Sequence, residues 1–340
     1  MRDGTKYGKI HGLKYRTRYG KGIGCLALTV LCLTAAPMQA LAGSPEFAYS
    51  AETWAALRDN KLEYGEIADL IHEYNNTVIQ NQIEYKDYKG KTQDDIAQDY
   101  YDAADDVTGS LSYPDSDDEN YASGLSSYLN GRQQADTLRE KGDDNVEDGE
   151  IKKLGYDQEE AELVKQAQEL MITYWNQVWT IKNLEQTKEQ AQKSYESAAA
   201  KQAAGTATAA VVQSAKEAVA SAEASILSAE SSLAKTKESL CLMLGWSYGA
   251  EVEICELPET DLEAIASIDL DAAIQNGLEA NYALQIQSRK TANAKSTSNR
   301  ESLEEEYKSQ KETAATSIKS TYRNLLLAKS DFDQAVQAYT

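Results

Sequence analysis

VQSAKEAVASAEASILSAESSLAKTKESLCLMLG, residues 212–245, decides the fold. Val212, Ala215, Val219, Ala222, Ile226, Ala229, Leu233, Thr236, Leu240 and Met243 recur at alternating spacings of 3 and 4. That is a heptad held for more than four repeats, and a strict seven-residue period implies a left-handed supercoil. Ala220, Ala224, Leu227, Ser231 and Ala234 form a second seam with the same alternation. A two-helix coil needs one apolar seam. A helix with two seams of small residues can carry a close neighbour on each side, as in a sheet or tube of helices.

Working outward, the helix ends at Leu244-Gly245-Trp246, where glycine suits a C-cap. Upstream, Gly205 with Thr206 and Thr208 interrupts a preceding helix over 158–203, about 65–70 Å long at about 1.5 Å per residue. Its stripe is Leu163, Ala167, Leu170, Tyr174, Val178, Ile181, Leu184, Ala191, Tyr195 and Ala198. Trp175 and Trp179 widen that face; interhelix packing explains them better than sugar stacking. The two helices predict a long antiparallel hairpin whose tip is Ala204-Gly205-Thr206-Ala207-Thr208. No acidic residue lies between Glu196 and Glu217.

Residues 50–108 read as helix, with Tyr64, Ile67, Ile71, Tyr74 and Val78 on one face and Gly90 as the weak point. Residues 109–150 read as an acidic loop or partly disordered insertion, punctuated by Gly109, Pro114, Gly124, Gly131, Gly142 and Gly149. Asp144–Gly149 resembles the start of a calcium loop. Val146 and Gly155 stand where two oxygen ligands are needed, so specific calcium binding is not expected. Beyond the hairpin, 246–268 is a linker in which Val252 and Ile254 alternate with Glu251 and Glu253, a short-strand pattern near 251–255. Helix resumes near 269. A tight reversal falls at Lys295–Asn299, capping boxes fit at Ser298 and Ser302, and a last helix runs from about 300. Its stripe is Ala315, Ile318, Tyr322, Leu325, Phe332, Val336 and Tyr339. Leu57-Arg-Asp-Asn60 answers Leu278-Glu-Ala-Asn281, and Tyr174-Trp-Asn176 answers Tyr322-Arg-Asn324. The chain therefore reads as all-α hairpins in two homologous repeats, 43–245 and 269–340, the second incomplete.

The N-terminus reads as a leader. Lys6, Lys9, Lys14, Arg16, Arg18 and Lys21 precede an apolar stretch Ile23–Ala36, and Ala40-Leu41-Ala42 fits a small-x-small site. Cleavage after Ala42 is expected, with an uncleaved anchor as the rival. Residues 1–42 hold 7 Lys+Arg and 1 Asp of the chain's 34 and 55, leaving 27 basic and 54 acidic, a net charge of −27. Such a charge argues against nucleic acid or anionic lipid as partner. Cys25 and Cys32 fall in the leader; Cys241 and Cys255 can pair after export, or Cys241 can be a small buried apolar residue. His72, the one His outside the leader, reads as solvated and excludes a multi-His metal site. No phosphate loop, nucleophile elbow or metal constellation appears, so neither catalysis nor a cofactor is expected.

Three stretches carry a resemblance: Tyr195–Thr208, Ser239-Leu-Cys-Leu-Met-Leu-Gly245 and Asp269–Asn281. With the leader and the duplicated opening, they resemble the TolC-like outer-membrane efflux proteins over about 50–340. The resemblance implies a trimeric tube of coiled helices that carries small molecules or peptides out of the cell. Its tips dock an adaptor, or membrane-fusion, protein tied to an ABC-type or other inner-membrane pump. It also implies an outer-membrane location and a β-barrel of strand pairs between the long helices. Neither 109–150 nor 295–300 has the alternating apolar strands a barrel needs, so a place outside the cytoplasm without a barrel is the alternative. A different class, an extracellular coiled-coil scaffold or adhesion protein, needs only one seam.

Overall fold

The computed structural model describes residues 44–117 and 119–339. The leader and its cleavage site after Ala42 lie outside the described residues. In chain order the elements are α1 (Ala51–Leu57), β1 (Lys61–Leu62), a 3-10 turn at Tyr64–Glu66, α2 (Ile67–Tyr74), α3 (Asn76–Tyr88), α4 (Gln93–Ser110) and α5 (Tyr121–Asp143). Then come α6 (Gly149–Ala203), α7 (Ala209–Met243), β2 (Glu253–Ile254), α8 (Leu262–Ala266), α9 (Leu270–Glu279), α10 (Tyr282–Asn293) and α11 (Thr297–Tyr339). The protein is mainly all-α with long helices, and its described strands are two residues each.

The α6–α7 hairpin is the spine. At about 1.5 Å per residue, α6 is about 82 Å long and α7 about 52 Å. The hairpin therefore extends about 52 Å, less than the helix over 158–203 implied, and α6 continues past its partner. That extra length begins at Gly149 rather than 158, because Asp148 caps the helix there by accepting from the Ile151 amide. The core sits at the hairpin's base. Met171 and Ala167 of α6, Leu240 and Cys241 of α7 and Leu244 just beyond it meet Leu57, Leu62, Ile67, Leu70, Ile71 and Val78. Gly245 closes the base at φ +89°, and a Cβ there would collide with the Tyr74 Cβ. Only glycine satisfies both the backbone and the contact.

The expected single helix over 50–108 is four helices. Gly90 breaks it at φ +80°, as its position suggested. Two further breaks were not legible. At 58–66, Asp59 accepts from the Lys61 amide, and Lys61–Leu62 pair in parallel with Glu253–Ile254. The strand pattern near 251–255 thus has a partner that reads locally as helix. At Asn75 the side chain caps α3 through the amides of Thr77 and Val78.

The stretch 109–150 is not a loop. Within it α5 is a 23-residue helix that returns along α4. Its glycines are close-approach sites rather than breaks. A Cβ at Gly124 would meet Pro114, one at Gly131 would meet Leu111, and one at Gly142 would meet the Tyr101 ring. Arg139 reaches Asp105 at 3.0 Å and the Tyr101 hydroxyl donates to Asp143 at 2.7 Å, tying the arms together.

In the second half the helix expected near 269 breaks at Asn281, which caps α10 through the Leu284 amide. The reversal is at 294–296, and Ser296, not Ser298 or Ser302, accepts from the Asn299 amide. The two halves share one local arrangement. Asn60 lies in the turn before β1, so the structural counterpart of Asn281 is Asn75. Each caps a short helix that lies, with the helix before it, along a long one: α2 and α3 on α6, α9 and α10 on α11. The separation is 99 residues from Asn75 to Tyr174 and 41 from Asn281 to Tyr322; the α4–α5 hairpin, Gln93–Asp143, accounts for most of the difference.

Candidate docking tip and interhelix seams

The tip is a tight reversal with three donors on one carbonyl. The amides of Thr206 and Ala207 and the Thr206 hydroxyl all donate to the Lys201 carbonyl, at 2.8, 3.2 and 3.0 Å. The Gly205 amide donates to Gln202 at 2.9 Å, and Gly205 has φ +75° with open space around it. Thr208 is extended and starts α7 with no side-chain cap bond. Ala204, Gly205, Thr206 and Thr208 are exposed, and Ala207 is half-buried. The charges nearest in sequence are Lys201 and Lys216, so this end is locally neutral to basic on an acidic chain.

Along α7 the two seams separate cleanly. Val212, Ala215, Val219, Ile226, Ala229 and Leu233 are half-buried and Ala222 is buried. They face α6, whose stripe from Leu163 to Ala198 is likewise half-buried or buried. Lys188 and Glu223 bridge the two helices at 3.1 Å. Ala220, Ala224, Leu227, Ser231 and Ala234 are all exposed, Leu227 at 69%. No helix of the described chain covers this second seam. On α11, Ala315, Ile318, Tyr322 and Leu325 are half-buried, whereas Phe332 and Val336 are exposed.

The other candidates resolve as structure. Trp175 donates to the Cys255 carbonyl at 2.9 Å and packs on the core, in keeping with an interhelix role. Cys241 and Cys255 are free, and burial pushes the Cys241 thiol up. His72 is not simply solvated: its Nδ1 meets the Glu160 carboxylate at 2.9 Å.

A polar junction went unread in the sequence. Asp148, buried at the start of α6, accepts from Arg289 Nε at 2.7 Å and from Asn293 Nδ2 at 2.8 Å. Asn293 also donates to the Val146 carbonyl, and Gln93 donates to the carbonyls of Asn145 and Asn293. The resembling calcium loop is thus a clasp between the α4–α5 base and α10. Among the described residues, no group of three His, Cys, Asp or Glu is placed to hold a metal ion. The one local signal was Asp148 three residues before Ile151, an N-cap spacing. No helix of the described residues is long and apolar enough to cross a membrane. No protein-family model, characterised protein or solved structure matches the chain.

Proposed function

We propose that this chain is a subunit of a TolC-like export conduit. Three copies form a helical duct, and its tip meets an adaptor protein tied to an inner-membrane pump that moves small molecules or peptides out of the cell. The observation that carries this reading is the two-sided α7: one seam of small residues is packed on α6, and the second is exposed along the same helix. Small exposed residues at 3–4 spacing let a neighbouring helix approach closely, and three copies joined this way close a tube. The tip adds support. Its exposed Ala, Gly and Thr side chains carry no charge, so a partner's helical hairpin can seat without stripping water from ions.

One observation favours the alternative, an extracellular helical scaffold with no conduit. The slot between α3 and α6 holds the α4–α5 helical hairpin, where the resembled family has strand pairs. Tip substitutions in the native host separate the two. Thr206→Glu and Thr208→Glu both alter exposed residues, so helix content should be unchanged, while adaptor capture and export should fall. Normal export by both variants with an intact adaptor refutes docking at the tip.

A further inference from the structure

The half-buried ring of His72 sits where α2, α6 and the segment 44–50 meet. Its Nδ1 is 2.9 Å from the Glu160 carboxylate of α6. Its Nε2 is 3.3 Å from the Ser44 hydroxyl and 4.0 Å from the Glu73 carboxylate. Glu73 is buried and accepts from the Ser44 amide at 2.9 Å. Among the described residues, the ion pairs of Glu73 and Glu160 are both with His72. Asp69 lies one turn before the ring on α2. The Tyr49 hydroxyl hydrogen-bonds to Asp69 and Glu73, and burial and those carboxylates hold it well above the usual phenol range, so it stays a neutral donor. From α3 comes the uncharged Gln82, whose amide donates to the His72 carbonyl at 3.3 Å. One imidazole therefore faces Glu160, Glu73 and Asp69.

A neutral imidazole has one N–H and a charged one has two, whereas an ionised carboxylate only accepts. In the neutral ring Nδ1–H serves Glu160, and Nε2 accepts from the Ser44 hydroxyl. In the charged ring Nε2–H donates instead, to the Ser44 oxygen and toward Glu73, while Nδ1–H keeps Glu160. One proton thus reverses the Ser44 hydrogen bond and adds attraction to a carboxylate on each side of the ring. We propose that His72 is a proton-operated latch: charging the ring fastens α2 and the segment 44–50 to α6, and discharging it loosens them. Histidine is the side chain whose charge ordinarily changes near neutral pH. Here the hydrogen bond to Glu160 outweighs burial and, with the charges of Glu160, Glu73 and Asp69, raises the ring above the ordinary histidine range. A raised folded value contributes stability that is complete below the unfolded value of about 6.5 and is lost as pH rises through the folded one. The latch is therefore closed at mildly acidic pH and opens toward alkaline pH.

The test follows the full chain by NMR as a function of pH. The His72 ring signal is the one missing from the His72→Gln variant. Its midpoint should lie above the ordinary value of about 6.5, and Glu160→Gln should lower it. In the wild type the backbone amides of Ser44 and Tyr49 should shift with the same midpoint as the ring, and their heteronuclear NOE should fall as the pH rises through it. In His72→Gln neither change should occur. Should that variant fold poorly, Glu160→Gln keeps the test decisive, because the amide midpoint must move down with the ring midpoint. A ring midpoint at or below about 6.5, one unmoved by Glu160→Gln, or amides of Ser44 and Tyr49 that do not follow the ring would overturn the latch.

Discussion

The side-chain amide of Asn75 closes two helices at once: its Nδ2 donates to the Met243 carbonyl at the end of α7 at 2.8 Å, and its Oδ1 accepts from the amides that start α3. Asn75 is buried, so neither helix end has water as a ready substitute. Asn75→Ala should cost about 2–3 kcal/mol, about 1 for the cap and the rest for the stranded carbonyl. Asn281 caps only α10, through the Leu284 amide. Asn281→Ala should cost about 1 kcal/mol. Urea unfolding of both variants checks the ratio, and equal losses would contradict the double-cap role.

Asp148 makes stability depend on pH. Burial alone would raise its carboxyl, but Asn293, the Ile151 amide and Arg289 outweigh burial and hold it below the usual carboxylate range. A folded value below the unfolded one contributes stability above an unfolded pKa of about 3.9, lost as pH falls through the folded value. Asp148→Asn should therefore melt well below wild type at pH 6–7, and the gap should narrow below about pH 4. A gap that is constant from pH 3 to 7 would show that the charge is not what the clasp uses.

Two glycines end helices in left-handed conformations, and they should not respond alike. Gly205→Ala meets open space and should cost about 1 kcal/mol, the backbone term alone. Gly245→Ala adds a collision with Tyr74 at the base of the core and should cost about 3 kcal/mol or more. Thermal melts of the two variants give the comparison.

How much was legible depended on the range of the interactions. The α6–α7 hairpin could be read because its seams, its Gly205 turn and its Gly245 cap are all local patterns. The packing of seam one on α6 followed from the 3–4 spacing. What failed was decided by partners far along the chain. Lys61–Leu62 is a strand because Glu253–Ile254 lies beside it. Gly124, Gly131 and Gly142 look like loop punctuation because the side chains they approach, Pro114, Leu111 and Tyr101, lie well outside a local window. Asp148 looked like part of an acidic run because Arg289 is 141 residues away. The letters Leu-x-x-Asn pair Asn281 with Asn60, whereas the cap geometry pairs it with Asn75.

The exposed second seam of α7 bears most directly on the proposed conduit, and native mass spectrometry of the exported protein reads it out. A trimer is the expected result for the wild type. Ala224→Glu places a charge on seam two, where the single chain leaves Ala224 exposed, so it should yield a monomer with unchanged helical circular dichroism. Ala222→Glu buries its charge against α6 and should instead lower helix content. A monomeric wild type, or an Ala224→Glu protein that remains trimeric, would contradict a duct built through this seam.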